Sequence, residues 1–553
     1  MKIYLLPLFL FVVSIASAQQ LHLNISGSSI NETATIDSIG YQKTFPNARA
    51  ITTEVNRVSL VLEKIGYFER EISDSRKSND STFAYIFSLK NQTRAIHIYS
   101  TDENPLSEIA LAANDTILLH PTQVEDFLNT TMARLEAKGY SLATLQLKNF
   151  AHSRGRMYAQ LTVTPGAQRQ LNDIVVNGYD KFPAGHKRNI ERLYRNRTFN
   201  QQTLKSIHTD FQKYRFINQT KYPEILFSQD TTKLYVYVEK SKPNRFDGFI
   251  GFANDDQTNK LIFTGYLDLL LVNFMNTGEE FTLYWKSDGN EQKTFNVGIE
   301  LPYIFKSPFG LKASLNIFKQ DSTFQNTRSS ADLGYFFNYN TRLYIGYQST
   351  ESSDIQNQNS FSINDYKNTF FTSNLEYTAF TPDDFLFPQR TRFNLKAGVG
   401  NRKSNLNNDG QYFVELNAYH NFYLNDKNVF HVRSQNYYLQ SDGYIINELY
   451  RFGGINSIRG FNENSLQANT FTSLLTEYRF VPSPNLYVHS IIDYGYFRDQ
   501  TSDLSGSLLG LGIGFGLLTN NGLLNLVYAN GSTNDQSIKL SNSIVHISFK
   551  TTF

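Results

Sequence analysis

"YVHSIIDYGYF", residues 487–497, sorts its side chains by chemistry on a two-residue period. On an extended chain Val488, Ile492, Tyr494 and Tyr496 share one face, while His489, Asp493 and Gly495 share the other. The neighbouring "LLTEYRF", residues 474–480, does the same: Leu474, Thr476, Tyr478 and Phe480 oppose Glu477 and Arg479. On a face that meets hydrocarbon, Arg or Lys near the midplane costs about 2–4 kcal/mol, and Asp or Glu less. Both segments therefore read as strands with an apolar face towards lipid and a charged face turned inward to water.

The alternation recurs throughout the C-terminal part of the chain. In "LKASLNIF" (311–318) Leu311, Ala313, Leu315 and Ile317 oppose Lys312, Ser314 and Asn316. "RFNLKAGV" (392–399) and "YFVELNA" (412–418) follow suit, and "IVHISFKTTF" (544–553) places Val545, Ile547, Phe549 and Phe553 on one face. From Asn244 the pattern covers roughly 310 residues, which at about 19 residues per strand and connection gives about 16 antiparallel strands. An open edge in hydrocarbon would leave backbone groups unsatisfied, so the sheet must close into a barrel.

Composition agrees. The chain has 553 residues, with 34 Tyr and 44 Phe, yet its mean hydropathy is only −0.38. A barrel reconciles these values, because its lipid face uses only every second residue. The most apolar window, "GYLDLLLVNFM" (265–275), is far shorter than the roughly 20 residues a membrane helix needs. "MKIYLLPLFLFVVSIASAQQ" reads as a secretory signal peptide over residues 1–18: Lys2, an apolar run, then Ala16-Ser17-Ala18. The absence of Cys excludes disulfides, thiolate metal sites and a lipidated N-terminal cysteine. The net charge of +2 gives no reason to expect a nucleic-acid partner.

Before residue 244 the texture is mixed α and β. Val55, Val58, Leu62 and Ile65 recur at helical spacing and Gly66 ends the run; Val124, Phe127, Leu128 and Leu135 repeat it before Gly139. A third unit runs from "LNDIVVNGYDKF" through helical stretches at Ile190–Tyr194 and Leu204–Tyr214 to the strands of "EILFSQDTTKLYVYVEK". The spacing is about 75 residues, a repeat architecture. The order strand, helix, helix, strand, strand, with "VVNGY" (175–179) after the first strand and "EKIGYFE" (63–69) or "EAKGYSL" (136–142) after the second helix, resembles POTRA domains. Three are expected, at 19–91, 92–166 and 167–243, ahead of a barrel at 244–553.

Three POTRA-like units followed by a barrel resemble the BamA/TamA superfamily of outer-membrane assembly and translocation proteins. "GGINSIRGF" (453–461) is similar to that family's V/I-R-G-F/Y loop through Ile458, Arg459, Gly460 and Phe461. "IIDYGYF" (491–497) is similar to its F-x-D-x-G strand motif through Asp493 and Gly495, with Ile491 where Phe is usual. Glu477 stands in a strand where the family tends to carry an acid, and the terminal Phe553 resembles its C-terminal assembly signal. The resemblance implies a loop that folds back into the barrel. Alternation turns Asp493 and Glu477 inward, and Arg459, with its planar fork, is the cation to meet them.

The resemblance also implies a bacterial outer-membrane location with the N-terminal domains in the periplasm. The partners it implies are unfolded outer-membrane or secreted client proteins, outer-membrane lipid, and a periplasmic or inner-membrane protein at the POTRA domains. It implies no cofactor or metal. The alternative within the resemblance is a two-partner-secretion transporter that threads an exoprotein through the barrel. That class usually has two POTRA domains behind a plug helix; three units and no plug-like helix favour assembly. No enzyme is expected, because G-x-x-x-x-G-K-[ST], H-E-x-x-H and G-x-S-x-G are all missing. "GLGIGFG" (510–516) sets glycine at every second residue, which is a barrel strand with a bare inner face that leaves room for the loop.

Overall fold

The computed structural model describes residues 20–100, 115–153, 156–254, 261–288, 292–357, 362–381, 384, 386–405, 407–519, 522–534, 538–539 and 543–552. The expected signal peptide and Phe553 lie outside them. The chain forms two compact units: one reaches Gln170 and takes in Thr198–Gln202, the other holds Leu171–Arg197 and everything from Thr203.

The first unit contains two small sheets. Strands β1 (Leu21–Gly27), β2 (Thr44–Phe45), β3 (Glu71–Lys77) and β4 (Thr82–Ser88) lie in the order β2-β1-β4-β3, with β1 parallel to β4. Helix α1 (Ile30–Ile39) and helix α2 (Ala48–Lys64) accompany them. The apolar stripe of α2 closes the core through Ile51, Val55, Val58 and Leu62, and the Asn47 side chain caps its first turn by accepting from the Ala50 amide at 2.9 Å. The second sheet, β5 (Ile96–Tyr99), β6 (Thr116–Leu119), β7 (Thr144–Ser153) and β8 (Arg156–Thr164), has the order β6-β5-β8-β7 under helix α3 (Pro121–Ala137). Two helices were expected in this repeat; α3 is the one among the described residues, and 101–114 lie outside them.

The second unit opens with a three-stranded sheet, β9 (Asp173–Asn177), β10 (Ile217–Phe227) and β11 (Thr232–Lys240), with helices α4 (Ala184–Tyr194) and α5 (Gln201–Gln212). These N-terminal α/β sheets resemble POTRA domains.

The barrel follows with sixteen strands. They begin with β12 (Arg245–Asn254), β13 (Leu261–Val272), β14 (Glu280–Asp288), β15 (Gln292–Leu301), β16 (Phe309–Gln320) and β17 (Phe324–Phe336). Next come β18 (Thr341–Asp354), β19 (Tyr366–Phe380), β20 (Gln389–Ser404), β21 (Asn408–Asn425) and β22 (Asn428–Gln440). A loop carrying the small hairpin β23 (Tyr450–Phe452) and β24 (Leu466–Ala468) then leads to β25 (Thr470–Ser483), β26 (Leu486–Asp499), β27 (Leu504–Thr519), β28 (Gly522–Thr533) and β29 (Ile544–Thr552). All neighbours are antiparallel. The register of β28 with β29 runs from Leu523–Lys550 to Ala529–Ile544, whereas that of β12 with β29 consists of Arg245–Thr552 and Phe246–Thr551 among the described residues.

The faces are those expected from alternation. Val488, Ile492, Tyr494 and Tyr496 point out, while Asp493 and His489 are buried inside. Outward Phe371 is 71% exposed and Ile513 and Ile547 are each 65% exposed, an apolar surface that only lipid satisfies. No helix among the described residues is long and apolar enough to cross a membrane.

Helix α4 sits on the barrel turns at the end from which β12 starts. His186 is fully buried there, edge-on to Tyr214, Phe216 and the turn residue Tyr303, and a Cβ on Gly278 of another turn would fall 1.9 Å from its ring. Tyr179 donates to Asn276 Oδ1 at 2.9 Å and accepts from Asn273 Nδ2 at 3.1 Å. Burial, with Arg342 nearby, pushes the His186 imidazole down to about 3, so it is neutral.

Candidate functional site

The segment joining β22 to β25, residues 441–469, enters the barrel from the end opposite α4. Its hairpin stacks on the wall: Tyr450 lies 4.6 Å from Tyr437 and Phe452 lies 4.0 Å from Phe471, ring centre to ring centre. Ile458 is fully buried with Phe452, Phe471, Leu475 and Leu508. Gly453 and Gly454 take positive φ values of 103° and 96°, which turns the chain back on itself, and the Gly454 amide donates to the Ile458 carbonyl at 3.1 Å.

Arg459 is 5% exposed and bonded to two carboxylates. Its Nε donates to Asp493 Oδ2 at 2.8 Å and its Nη2 to Oδ1 at 2.5 Å, a two-pronged fork, while its backbone amide also donates to Oδ2 at 3.0 Å. Its Nη1 donates to Glu477 Oε1. The other oxygen of Glu477 accepts from Arg479 Nε at 2.7 Å, and His489 Nδ1 lies 3.6 Å from it. Two guanidinium groups thus face two carboxylates, and the formal charges of these four cancel inside the lumen. Such a pair holds a geometry more than it adds stability, but breaking it on one side leaves an unpaired buried charge.

The inner wall is cut to fit the loop backbone. A Cβ on Gly510 would fall 2.4 Å from the Arg459 carbonyl oxygen, and one on Gly495 would fall 2.2 Å from Ile458 Cδ1. Gly460 has φ +88°, and a Cβ there would fall 2.3 Å from the Asn530 carbonyl carbon. Phe461 packs over Gly531, whose added Cβ would meet its ring at 2.8 Å. The bare face of "GLGIGFG" thus receives the loop at Gly510, while Gly514 and Gly516 make room for His489 and Tyr487. Ile491 is buried with Val527 and Ala529.

Ile458, Arg459, Gly460, Phe461, Glu477, Asp493 and Gly495 therefore meet at one place, whereas Ile491 packs apart from the loop and Phe553 lies outside the described residues. Sequence reading missed three groups. Alternation turns Arg479 inward without naming Glu477 as its partner. Lys286 on β14 meets Glu463 of the loop at 2.5 Å. Arg402 on β20 binds Asp409 of β21 and Glu448 of the loop, with Gln411 Nε2 donating to Glu448 Oε2 at 2.9 Å. The signal that could have found them is inward placement by alternation, as for Lys286 in "FTLYWKSD".

A sequence profile for the Omp85 superfamily domain matches residues 273–550, half the chain and all of the lumen site. The chain belongs to the Omp85 superfamily. Among solved structures it is similar to CdiB from Acinetobacter baumannii, at 14% identity and TM-score 0.53 over 82% of this chain and 89% of that one. It is likewise similar to CdiB from Escherichia coli, at 14% identity and TM-score 0.52 over 91% and 97%. BamA from Haemophilus ducreyi lacking POTRA domains 1–3 aligns at 14% identity and TM-score 0.48 over 82% and 99%. No curated protein sequence matches the chain. As an Omp85 barrel preceded by POTRA-like sheets, the chain is an outer-membrane protein with a general role in protein assembly or translocation.

Proposed function

We propose that this Omp85 protein inserts or exports client proteins at the bacterial outer membrane. Its POTRA-like units, with limits near 19–91, 92–166 and 167–243, lie in the periplasm and receive unfolded clients, and the barrel passes them on under control of the inward-folded Ile458–Phe461 loop. The observation that carries this reading is the thin register between β12 and β29, set beside a loop bonded firmly to the strands on one side of that seam. A seam that shows only two register pairs among the described residues is the place where a closed sheet opens at least cost. The exposed edge strand β3 of the first sheet is suited to pairing with an extended client, a mode driven by main-chain bonds and tolerant of sequence.

The test uses the cysteine-free background. The substitutions Phe246→Cys and Thr551→Cys, at paired positions, lock the seam on oxidation. Client assembly in vesicles is expected to stop when the lock forms and to return on reduction. Unchanged activity in the locked form would favour passage through the lumen, the mode of a two-partner-secretion transporter.

A further inference from the structure

We propose that Lys286 and Glu463 form a clasp by which the inward loop holds the barrel seam shut from inside. This rests on the gated reading above and assigns a role to two residues outside the Arg459 site. The loop first meets β26 through Arg459 and Asp493, then β27 where its carbonyl passes Gly510, then β28 where Gly460 lies against Asn530 and Gly531. Three residues later Glu463 reaches Lys286 on β14 at 2.5 Å. The strands between these contacts are β29, β12 and β13, so the seam of β29 with β12 lies under the bridge.

The reach is nearly used up. From β28 to β14 there are four interstrand steps, about 19 Å along the wall. The three residues from Gly460 to Glu463 span at most about 10 Å, and the two long side chains supply the rest. Gly454, pressed against the Glu463 backbone, fixes where that side chain starts: a Cβ on it would lie 2.9 Å from Glu463 Cα. Parting β12 from β29 carries β14 away from β28, and the pair is the element with least slack.

The two ends differ in strength. Arg459 and Asp493 are buried at side-chain exposures of 6% and 0%, whereas Lys286 and Glu463 keep 25% and 31%. A half-solvated pair breaks more easily than a buried one. Lys286 also has Asp288 on its own strand at 3.5 Å, ready to take the ammonium when Glu463 leaves. On opening, the loop stays with β26–β28 and releases β14.

The test is hydrogen exchange of the full chain in lipid vesicles, read on peptides covering β12 and β29, with β19–β20 as internal reference. Lys286→Gln and Glu463→Gln are each expected to accelerate exchange at the seam by up to about five-fold without changing the reference, the range a partly exposed ion pair allows. The reversed pair Lys286→Glu with Glu463→Lys should restore the native rate, which a merely structural role for either residue would not produce. Single variants with unaltered seam exchange, or a reversed pair no slower than the singles, would overturn the clasp. Faster exchange restored by reversal, with client assembly unaffected in all variants, would uphold the clasp and count against the gated reading instead.

Discussion

The loop from β22 to β25 is held twice by the same chemistry in opposite polarity. At Arg459 the loop supplies the cation and the wall supplies Asp493 and Glu477. At Arg402 the wall supplies the cation together with Asp409, and the loop supplies Glu448 from a short 3-10 turn, Ile446–Glu448. The first clasp grips backbone as well as side chain, through the Arg459 amide and the glycines that make way for its carbonyl. The second grips a side chain and is backed by amides: Asn447 Nδ2 donates to Ser352 Oγ at 2.7 Å and its carbonyl accepts from Asn326 Nδ2 at 2.6 Å. Beyond the part-exposed Lys286–Glu463 pair, these two buried sites set how far the loop can move, so the comparison becomes quantitative once they are broken singly.

The largest effect is expected at the first. Arg459→Ala should cost about 3–5 kcal/mol of loop stability, because Asp493 remains buried without its fork and Glu477 keeps only Arg479. The barrel should still insert and migrate in a heat-modifiable way, with the 453–465 segment newly open to protease and client assembly mostly lost. Arg459→Lys should rescue in part, since a point charge cannot span both oxygens. Asp493→Ala should resemble Arg459→Ala, and the double variant should cost less than the sum by about 0.5–3 kcal/mol. Strict additivity in that cycle, read on protease sensitivity, would mean that the two side chains act apart.

The second clasp should behave unequally, and this separates it from the first. Arg402→Ala leaves Asp409 and Glu448 facing each other in a buried site and should approach the same cost, about 3–5 kcal/mol. Glu448→Gln keeps an acceptor of the same shape, and Arg402 retains Asp409, so the loss should be clearly smaller. Cleavage near 441–449 reports it. Equal losses from the two variants would show that Glu448, not Arg402, carries the anchoring.

The two clasps also differ in how they show in the sequence. Arg459 is flanked by glycines and its partners alternate with lipid-facing aromatics, so placement and partner could both be read. Arg402 lies in "VGNRKS" with nothing to mark it, and Glu448 lies in a loop that no period describes. Their meeting depends on how far β20 is staggered against the loop, a register that side-chain alternation fixes only in sense, inward or outward. The same limit hid Lys286 and Glu463. Among the helices, α2 was legible because four residues of one stripe are buried, and α1 was not, since Ile36 alone is buried and Ile30 stands 88% exposed. The inward and outward faces of the barrel strands were legible because lipid on one side and water on the other enforce the period, but their ends were not: the alternation read at 412–418 belongs to a strand that runs Asn408–Asn425.

His186 supplies the contrast to both clasps, a buried ionisable group with no carboxylate to meet it among the described residues. It faces Tyr214, Tyr303 and Tyr339, with the Arg342 cation near. Its folded value of about 3 lies below the ordinary 6.5, so between these the unfolded joint binds more protons. Stability is full above about pH 6.5 and falls as pH drops towards 3, by about 2–3 kcal/mol at pH 4.5. Hydrogen exchange in α4 should rise across that window, and His186→Phe should flatten the dependence. A profile unchanged by His186→Phe would assign the acid sensitivity to other groups.

The smallest effects come from the glycines, and they test whether the first clasp holds backbone or only side chain. At Gly495 an added methyl meets the tip of Ile458, which can turn aside within a packed but adjustable cluster. At Gly510 the same methyl meets the Arg459 carbonyl oxygen at 2.4 Å, with Asp493 Cβ at 3.2 Å behind it. Relief there requires the loop backbone to retreat, and the amide of that residue is bonded to Asp493, so the fork retreats with it. Gly510→Ala should therefore cost about 1–3 kcal/mol, the usual range for overpacking, and Gly495→Ala should fall at or below the low end of it. Combined with Arg459→Ala, Gly510→Ala should add little, because the loop has already left the wall. The measurement is protease cleavage of 453–465 in the two single variants and the double. If Gly495→Ala loosens the loop as much as Gly510→Ala does, the grip lies in the packing of Ile458 rather than in the backbone of Arg459, and the two clasps are alike after all.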